Sequence, residues 1–296
     1  MMIIGRIFIK IRSREDIPLP SVSSRISKLI LIKALESIEN EKARKIAELF
    51  KSKSPLNRLP VKPVRVSFIY DEKRGRMLWE EYDKRPIMKS GNVYTFTVTI
   101  FESDNVRSRL ESSPSLDVVI DLLDRFSGEF KVFKFNTVEV YTSDIEIVSE
   151  DIFEDDVDYD TVTINFLTPT FLQYPHHPKL RNYPTRHALY PQPMLVLLSL
   201  VYKWNNLADS SASISSALYA PYEIIEINHS IRPVTIQFRK VRERGFVGWI
   251  KYGIDSKSSK RFREYIKLLK FANYSGIGRS TNIGLGEVRV CFSKRS

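Results

Sequence analysis

A glycine-rich segment near the C-terminus is the part of this sequence best suited to hold a charged ligand. Gly276 and Gly278 form one pair, Gly284 and Gly286 form a second, and Arg279 directly follows the first pair. Glycine permits positive φ and a close approach of the backbone to a ligand. Successive N–H groups in such a loop can form an anion-binding concavity, and an arginine inside it favours phosphate as the anion. The alternative is a tightly packed turn that binds nothing.

The spacing of this loop differs from the common nucleotide-binding motifs. The sequence contains no Gly-Lys pair, which a P-loop requires. Counted from Gly276, a dinucleotide fingerprint would place its third glycine at the position of Thr281, and it would follow a strand rather than a basic helical segment. The loop therefore indicates phosphate contact but no nucleotide cofactor.

Side chains for metal-dependent or acyl-transfer chemistry are sparse. The histidines are His176, His177, His187 and His229, and the one cysteine is Cys291. Because no Asp or Glu lies between positions 161 and 209, the adjacent pair His176 and His177 lacks a carboxylate at ligand spacing and is expected in an exposed loop. A Gly-x-Ser-x-Gly nucleophile elbow is also missing from the sequence. We expect neither a metal site nor a cofactor.

The distribution of charge favours a polyanionic partner. The net charge is +11, although residues 144–160 hold nine acidic side chains and no Lys or Arg. Residues 239–295 hold fifteen Lys or Arg against four Asp or Glu. Such a surplus attracts nucleic acid and speeds its capture. It is equally compatible with the charged, solvated surface of a protein from a hot habitat.

Hydrophobic periodicity predicts two successive β-α-β-β-α-β halves, and so an α+β fold with two tandem ferredoxin-like (RRM-like) domains. The first half has predicted strands at 2–11, 61–70, 92–101 and 130–141, and the second at 161–172, 222–228, 234–238, 246–252 and 284–292. Helices are predicted from Ser21 to Phe50 with a break near Asn40, and at 104–110, 189–207 and 258–274. The acidic segment 144–160 is the predicted linker between domains at 1–143 and 161–296.

The glycine-rich loop, Gly-x-Gly-Arg-x-x-x-x-Gly-x-Gly, resembles the signature loop of the CRISPR-associated RAMP proteins, and most of all the endoribonuclease that cuts CRISPR repeat transcripts. Further stretches resemble that family in the same order along the chain. These are Pro18-Leu-Pro-Ser-Val-Ser-Ser-Arg-Ile-Ser-Lys28, Val61-Lys-Pro-Val-Arg-Val-Ser67, Asn165-Phe-Leu-Thr-Pro-Thr170 and Arg244-Gly-Phe-Val-Gly-Trp249. The resemblance spans the whole chain, and it too implies two tandem ferredoxin-like domains.

The resemblance implies a catalytic set of Lys28, Lys62 and Arg244. Many members of the family place a histidine in or near the first helix, whereas no histidine precedes His176 here. The chain thus resembles the archaeal branch that lacks this histidine and uses Lys and Arg. The expected RNA-binding residues are Arg25, Arg239, Arg242, Gly278, Arg279 and Ser280.

The reaction that the resemblance implies is cleavage of CRISPR repeat RNA without a metal. The 2′-hydroxyl of the nucleotide before the cut attacks its own phosphate and leaves a 2′,3′-cyclic phosphate, while Lys and Arg stabilise the charge that develops. A lysine of lowered pKa can assist proton transfer. Aromatic side chains could stack on unpaired bases; Tyr70, Tyr94 and Trp249 are candidates by type, with burial in the core as the alternative.

Two other functions are compatible with the same sequence. The chain could be a non-catalytic RNA-binding RAMP subunit of a CRISPR effector complex, or a basic structural subunit that contacts only proteins. The resemblance also allows a homodimer. Since no stretch of ~18 uninterrupted apolar residues occurs, we expect no membrane association and a cytoplasmic location.

Overall fold

The computed structural model describes residues 1–38, 41–51, 59–81, 84–109, 116–124, 127–132, 136–154, 159–175, 186–238, 241–255 and 260–294. The chain divides into two compact units. The first unit comprises Met1–Glu150, Asn206–Asp209 and Asn282–Gly284, and the second comprises Asp151–Asn205, Ser210–Thr281 and Leu285–Ser296.

The first unit contains nine strands and four helices among its described residues. In chain order they are β1 (Ile3–Ser13), β2 (Ile17–Pro18), α1 (Ser24–Ser37), α2 (Glu41–Phe50), β3 (Val64–Val66), β4 (Tyr70–Asp71), β5 (Arg76–Met77), β6 (Ile87–Met88), β7 (Val93–Glu102), α3 (Asp104–Arg107), α4 (Leu116–Leu123), β8 (Ser127–Lys131) and β9 (Thr137–Ser149). The main sheet runs β5-β4-β7-β1-β9-β8, with β3 also on β7. The antiparallel order β9-β1-β7-β3 is that of a ferredoxin-like domain, as predicted.

Apolar side chains at helical spacing hold α1 against this sheet. Ile26, Ile30, Ala34 and Leu35 are all at most 4% exposed, because residues three and four apart share one face of a helix. They join the core formed by the inward side chains of the sheet, such as Ile7 of β1. The helix therefore has a fixed face toward the sheet, which determines where its polar residues lie.

Strand boundaries in the first unit differ from the prediction at two places. The strand expected at 61–70 is divided into β3 and β4, because the Ser67 hydroxyl accepts a hydrogen bond from Thr97 N (2.8 Å) in place of regular pairing. The strand expected at 130–141 is the hairpin of β8 and β9, and β9 continues to Ser149. Residues 144–149 of the predicted acidic linker therefore pair with β1, where Arg6 forms an ion pair with Glu146 (3.6 Å).

The second unit contains six further strands and three helices among its described residues. They are β10 (Thr161–Thr170), β11 (Leu172–Gln173), β12 (His187–Ala188), α5 (Pro193–Leu207), α6 (Ile214–Glu223), β13 (Ile224–Phe238), β14 (Val241–Ile254), α7 (Lys260–Ser275) and β15 (Val288–Ser293). The sheet order β13-β14-β10-β15 is again that of a ferredoxin-like domain. The α+β class and the two tandem ferredoxin-like folds are thus confirmed.

Helix α5 is buried on most sides, as its almost continuous apolar sequence predicts. Trp204 is fully buried near its C-terminal end and makes edge-to-face contacts with Phe153 (6.0 Å between centroids) and Phe271 (5.1 Å). Such aromatic pairs add stabilisation beyond their buried area. They join α5 to α7, the helix that leads into the glycine-rich loop.

Helix α6 was not predicted, and the strand expected at 222–228 begins only at Ile224. The Ser213 hydroxyl caps this helix by accepting a hydrogen bond from Ser215 N (3.2 Å). Ala217 and Ala220 lie on its buried face. Pro221 lies in the last turn of this helix. Proline in a helix interior removes a hydrogen bond, so its presence argued against a helix in the sequence. The two strands expected at 222–228 and 234–238 form the single 15-residue strand β13.

Candidate active site and RNA-binding residues

Two lysines of the first unit lie close together at the N-terminal end of α1. Lys28 projects from the helix and Lys62 lies just before β3, and both are half-buried. Burial lowers the pKa of Lys28, and the charge of Lys62 lowers it further. Burial also lowers the pKa of Lys62. Loss of solvation favours the neutral amine, so both side chains lose their protons more readily than an exposed lysine.

Serine side chains fix the start of the helix that carries Lys28. The Ser23 hydroxyl donates to the Leu78 carbonyl and accepts from Ile69 N (3.0 Å). The Ser24 hydroxyl, one turn before Lys28, donates to the Ile283 carbonyl. These bonds satisfy backbone groups around the helix start and hold it at a defined position.

The segment Asn282–Gly284, which belongs to the first unit, needs a glycine at its last position. Gly284 has φ of +79°, and a Cβ atom there would lie 2.5 Å from the Phe68 ring and 2.7 Å from Phe68 N. No larger residue can approach that backbone without displacing it. This glycine is therefore explained by packing beside the start of α1.

The first glycine pair also packs against the protein rather than forming an open concavity. Gly276 N donates to the Ala272 carbonyl (2.9 Å), Gly278 N to the Ser199 hydroxyl (2.8 Å) and Arg279 N to the Phe171 carbonyl (3.0 Å). These three N–H groups therefore have partners within the protein. The RNA-binding role of Gly278 stays a prediction.

Phe171 brings two predicted arginine positions together in the second unit. A Cβ on Gly245 would lie 2.9 Å from the Phe171 ring, and one on Gly278 would lie 2.6 Å from its carbonyl oxygen. Both glycines therefore allow close packing on Phe171. Since Arg244 precedes Gly245 and Arg279 follows Gly278, the two exposed arginines are carried by segments that meet at the same residue.

His187 lies beside Phe171 and Arg279, and it is a candidate site residue that was not predicted from the sequence. Its Nε2 is 3.4 Å from a guanidinium nitrogen of Arg279, its ring lies 5.4 Å from that of Phe171, and it hydrogen-bonds the backbone of Arg244. Only its chemical type pointed to it, since its partners are 16, 57 and 92 positions away in sequence.

A buried lysine supports the start of the glycine-rich loop. Lys203 of α5 is 5% exposed, and its ammonium donates to the carbonyls of Gly276 (2.7 Å) and Ser275 (3.3 Å). These carbonyls lie at the C-terminus of α7, where a cation is favourable for the helix dipole. The lysine fixes the point at which the chain leaves α7.

The other predicted RNA-binding residues are mostly at the surface. Arg25, Arg242 and Ser280 are exposed, and Ser280 has a positive φ of 57°. Arg242 hydrogen-bonds Gln237 (3.5 Å). Arg239 lies outside the described residues, as do His176 and His177.

The aromatic candidates separate into core and surface. Tyr94 is fully buried and its hydroxyl accepts from Lys89 N (2.7 Å), so it belongs to the core. Tyr70 and Trp249 are half-buried on β4 and β14, respectively. Burial thus removes Tyr94 from the candidates for base stacking.

Two features are absent from the described residues. No group of three or more His, Cys, Asp or Glu side chains there is arranged to hold a metal ion. Within the same ranges, no helix has the length and apolar character needed to cross a membrane.

Comparisons with known proteins agree with this architecture. The family described as the Cas6 N-terminal domain matches residues 6–148, and that described as CRISPR-associated endoribonuclease Cas6 matches residues 164–288. Two Saccharolobus solfataricus proteins are similar. CRISPR-associated endoribonuclease Cas6 1 is 26% identical over 100% of this chain and 99% of its own, and Cas6 2 is 26% identical over 71% of this chain and 76% of its own.

Solved structures share the fold. A Thermus thermophilus Cas6 superposes with a TM-score of 0.63 at 15% identity, covering 98% of this chain and 99% of that one. A Cas6 product complex gives 0.65 at 16% identity over 97% and 100% of the two chains, and a Cas6 substrate mimic complex gives 0.60 at 15% identity over 98% and 100%. At these identities the similarity establishes the fold.

Tandem ferredoxin-like domains with this glycine-rich loop before the last strand define a RAMP protein of the CRISPR systems. Within that class, the chain belongs to the Cas6 family of CRISPR-associated endoribonucleases. The predicted enzyme class is thereby confirmed, and neither the non-catalytic RNA-binding subunit nor the structural subunit is supported.

Proposed function

We propose that this protein cuts CRISPR repeat RNA without a metal ion, by attack of a 2′-hydroxyl on the adjacent phosphate. The observation that carries the proposal is the half-buried lysine pair Lys28 and Lys62, both with lowered pKa. The solved Cas6 complexes with a substrate mimic and with product motivate RNA as the ligand. Cytoplasmic location, a homodimer and contacts with effector-complex subunits remain predictions.

The two lysines divide the proton transfers. Because the charge of Lys62 further lowers the pKa of Lys28, Lys28 loses its proton first and accepts the proton of the attacking 2′-hydroxyl. Lys62 stays protonated and delivers its proton to the 5′-oxygen as the P–O5′ bond breaks. The products are a 2′,3′-cyclic phosphate and a 5′-hydroxyl, so atoms and charges balance.

Arginine supplies the remaining requirement, which is to stabilise negative charge on the phosphate. Arg244 is assigned this role and Arg279 is assigned to the RNA backbone, since both are permanently charged and can bind phosphate oxygens in bidentate fashion. No histidine precedes His176 in the sequence. We therefore assign the protein to the branch of the family in which lysine replaces the first-helix histidine.

Substitution of the attacking hydroxyl by hydrogen should abolish cleavage, whereas excess EDTA should leave its rate unchanged. Both results are expected because the nucleophile belongs to the RNA and the protons move through lysines. Labelled repeat RNA, all-ribo or with one 2′-deoxy nucleotide before the cut, is incubated with purified protein. Product ends are identified by mass, since a cyclic phosphate is one water lighter than a linear one. Cleavage of the deoxy RNA, or loss of cleavage in EDTA, would disprove the mechanism.

The pH dependence of kcat/KM should be bell-shaped, with both limbs below the ordinary lysine pKa of 10.5. Cleavage rises as Lys28 loses its proton and falls as Lys62 does, since kcat/KM reports the groups of the free enzyme. Initial rates are measured over a range of pH, with RNA lacking enzyme as the correction for spontaneous hydrolysis. A rate that does not change with pH would contradict lysine acid–base catalysis.

A further inference from the structure

His187 connects three segments of the second unit through one imidazole ring. It lies on β12, opposite Gln173 of β11. Nε2 is 3.4 Å from a guanidinium nitrogen of Arg279 in the glycine-rich loop. The ring also hydrogen-bonds the backbone of Arg244 on β14, and it packs on Phe171 with ring centroids 5.4 Å apart.

The neutral form of the ring suits these contacts. Burial lowers the pKa of His187 below 6.5, and so does the charge of Arg279. Glu243 and the hydrogen bond to the Arg244 backbone oppose this shift without cancelling it. At neutral pH the imidazole is therefore uncharged, with one nitrogen able to accept from Arg279 and the other able to donate to a carbonyl.

Protonation would reverse the interaction with Arg279. A doubly protonated imidazole has no acceptor, and its charge would repel the guanidinium beside it. Among the described residues the charged groups around the ring are Arg279, Arg244 and Glu243. The carboxylate of Glu243 and the hydrogen bond to the Arg244 backbone favour protonation, whereas the charge of Arg279 opposes it.

We propose that His187 is a positioning residue that holds the Arg279 guanidinium for a backbone phosphate of the RNA and releases it when the imidazole is protonated. The inference rests on the proposed RNA function, which it extends to a pH-dependent step. Because the ring bonds the backbone that carries Arg244 as well, one side chain ties together both segments that present arginines at Phe171.

The test measures how much Arg279 contributes to RNA affinity at two pH values. Dissociation constants are determined for uncleavable 2′-deoxy repeat RNA with the wild-type protein and Arg279→Gln, at about pH 7.5 and at a lower pH at which an NMR titration shows the His187 ring to be protonated. We expect Arg279→Gln to weaken binding about tenfold at the higher pH, the size of a charge-assisted contact, and less than about twofold at the lower. Dividing the dissociation constant of Arg279→Gln by that of the wild type at the same pH cancels the effects of pH that the two proteins share.

Two variants of His187 distinguish positioning from a general structural role. His187→Gln offers an amide oxygen near the position of Nε2 but does not titrate. In a protein that carries His187→Gln, adding Arg279→Gln should therefore weaken RNA binding about tenfold at both pH values. His187→Leu removes the acceptor, so Arg279→Gln should cost little at either. If His187→Leu does not fold, His187→Gln alone still tests the titration.

The matched control is His229→Gln, because His229 is the other histidine among the described residues, is exposed, and contacts Glu226 rather than an arginine. This variant should keep the wild-type pH dependence. The inference is overturned if the effect of Arg279→Gln is the same at both pH values in the wild type, or if it survives in His187→Leu. If wild-type protein neither binds nor cuts repeat RNA, the proposed function fails and this inference fails with it. Normal cleavage with an unchanged Arg279 effect overturns the inference alone.

Discussion

Replacement of Lys28 by glutamine should slow single-turnover cleavage by about 10²–10⁴-fold, the usual contribution of a positioned acid or base. RNA affinity should change little, since one of many positive charges is lost. The reason for the large effect is the half-buried position of Lys28 near Lys62, which lowers its pKa. Single-turnover kinetics with saturating protein separates the chemical step from binding.

A second substitution at the same position separates proton transfer from charge. Lys28→Arg preserves the positive charge, but a guanidinium is not deprotonated in proteins. If Lys28 accepts a proton, Lys28→Arg should be nearly as slow as Lys28→Gln. A variant with arginine that retains nearly full activity would show that position 28 contributes electrostatic stabilisation only.

Lys33 provides the matched control on the same helix. It is also half-buried, and its ammonium donates to the Lys131 carbonyl within the first unit. Lys33→Gln removes the same charge from α1 and should change the cleavage rate by less than about twofold. An equal loss in both variants would mean that the total charge of α1, and not proton transfer at Lys28, determines the rate.

The placement of Lys28 and the overall fold could be predicted from sequence because both depend on local periodicity. Apolar residues such as Ile26 and Ile30 repeat at helical spacing and fix which face of α1 is buried. The order of strands and helices then gave the two ferredoxin-like domains. The residues nearest to Lys28 in sequence contain enough information to orient it.

The environment of the glycine-rich loop could not be predicted in the same way. Whether Gly278 N faces a phosphate or a protein acceptor depends on Ser199, which is 79 positions away. The role of His187 depends on Phe171, Arg244 and Arg279, which reach it through tertiary packing. A sequence motif indicates that a glycine is required at a position. The physical reason is the group of the folded protein that packs against that glycine, and the motif does not identify this group.

Strand ends were mispredicted where pairing overrides composition. The acidic residues at 144–149 suggested a solvated linker, yet β9 continues through them because β1 offers matching backbone groups and Arg6 offers a counter-charge to Glu146. Side-chain charge is compatible with a strand when one face is exposed. Local composition alone therefore placed the start of the linker too early.

Gly286→Ala should lower the free energy of unfolding by about 3 kcal/mol, because strain at positive φ and a steric clash act together. Gly286 has φ of +62°, and an added Cβ would lie 1.9 Å from the Ile277 carbonyl oxygen. Ile277 N donates to the Gly286 carbonyl (2.9 Å), and Gly286 N donates to the Pro169 carbonyl (3.0 Å), so the backbone cannot shift without breaking the closure of the loop. Urea unfolding followed by circular dichroism measures the change.

Gly91→Ala is the matched control, since Gly91 has a similar φ of +76° but no atom within 4 Å of the added Cβ. It should cost only the conformational strain, about 1 kcal/mol. The comparison also tests why the glycines of the loop are needed. If they serve packing, Gly286→Ala loses stability, and any loss of RNA affinity follows the fraction of unfolded protein. Wild-type stability combined with loss of RNA affinity would instead mean that the bare backbone is needed for the approach of the ligand, and would contradict the packing explanation.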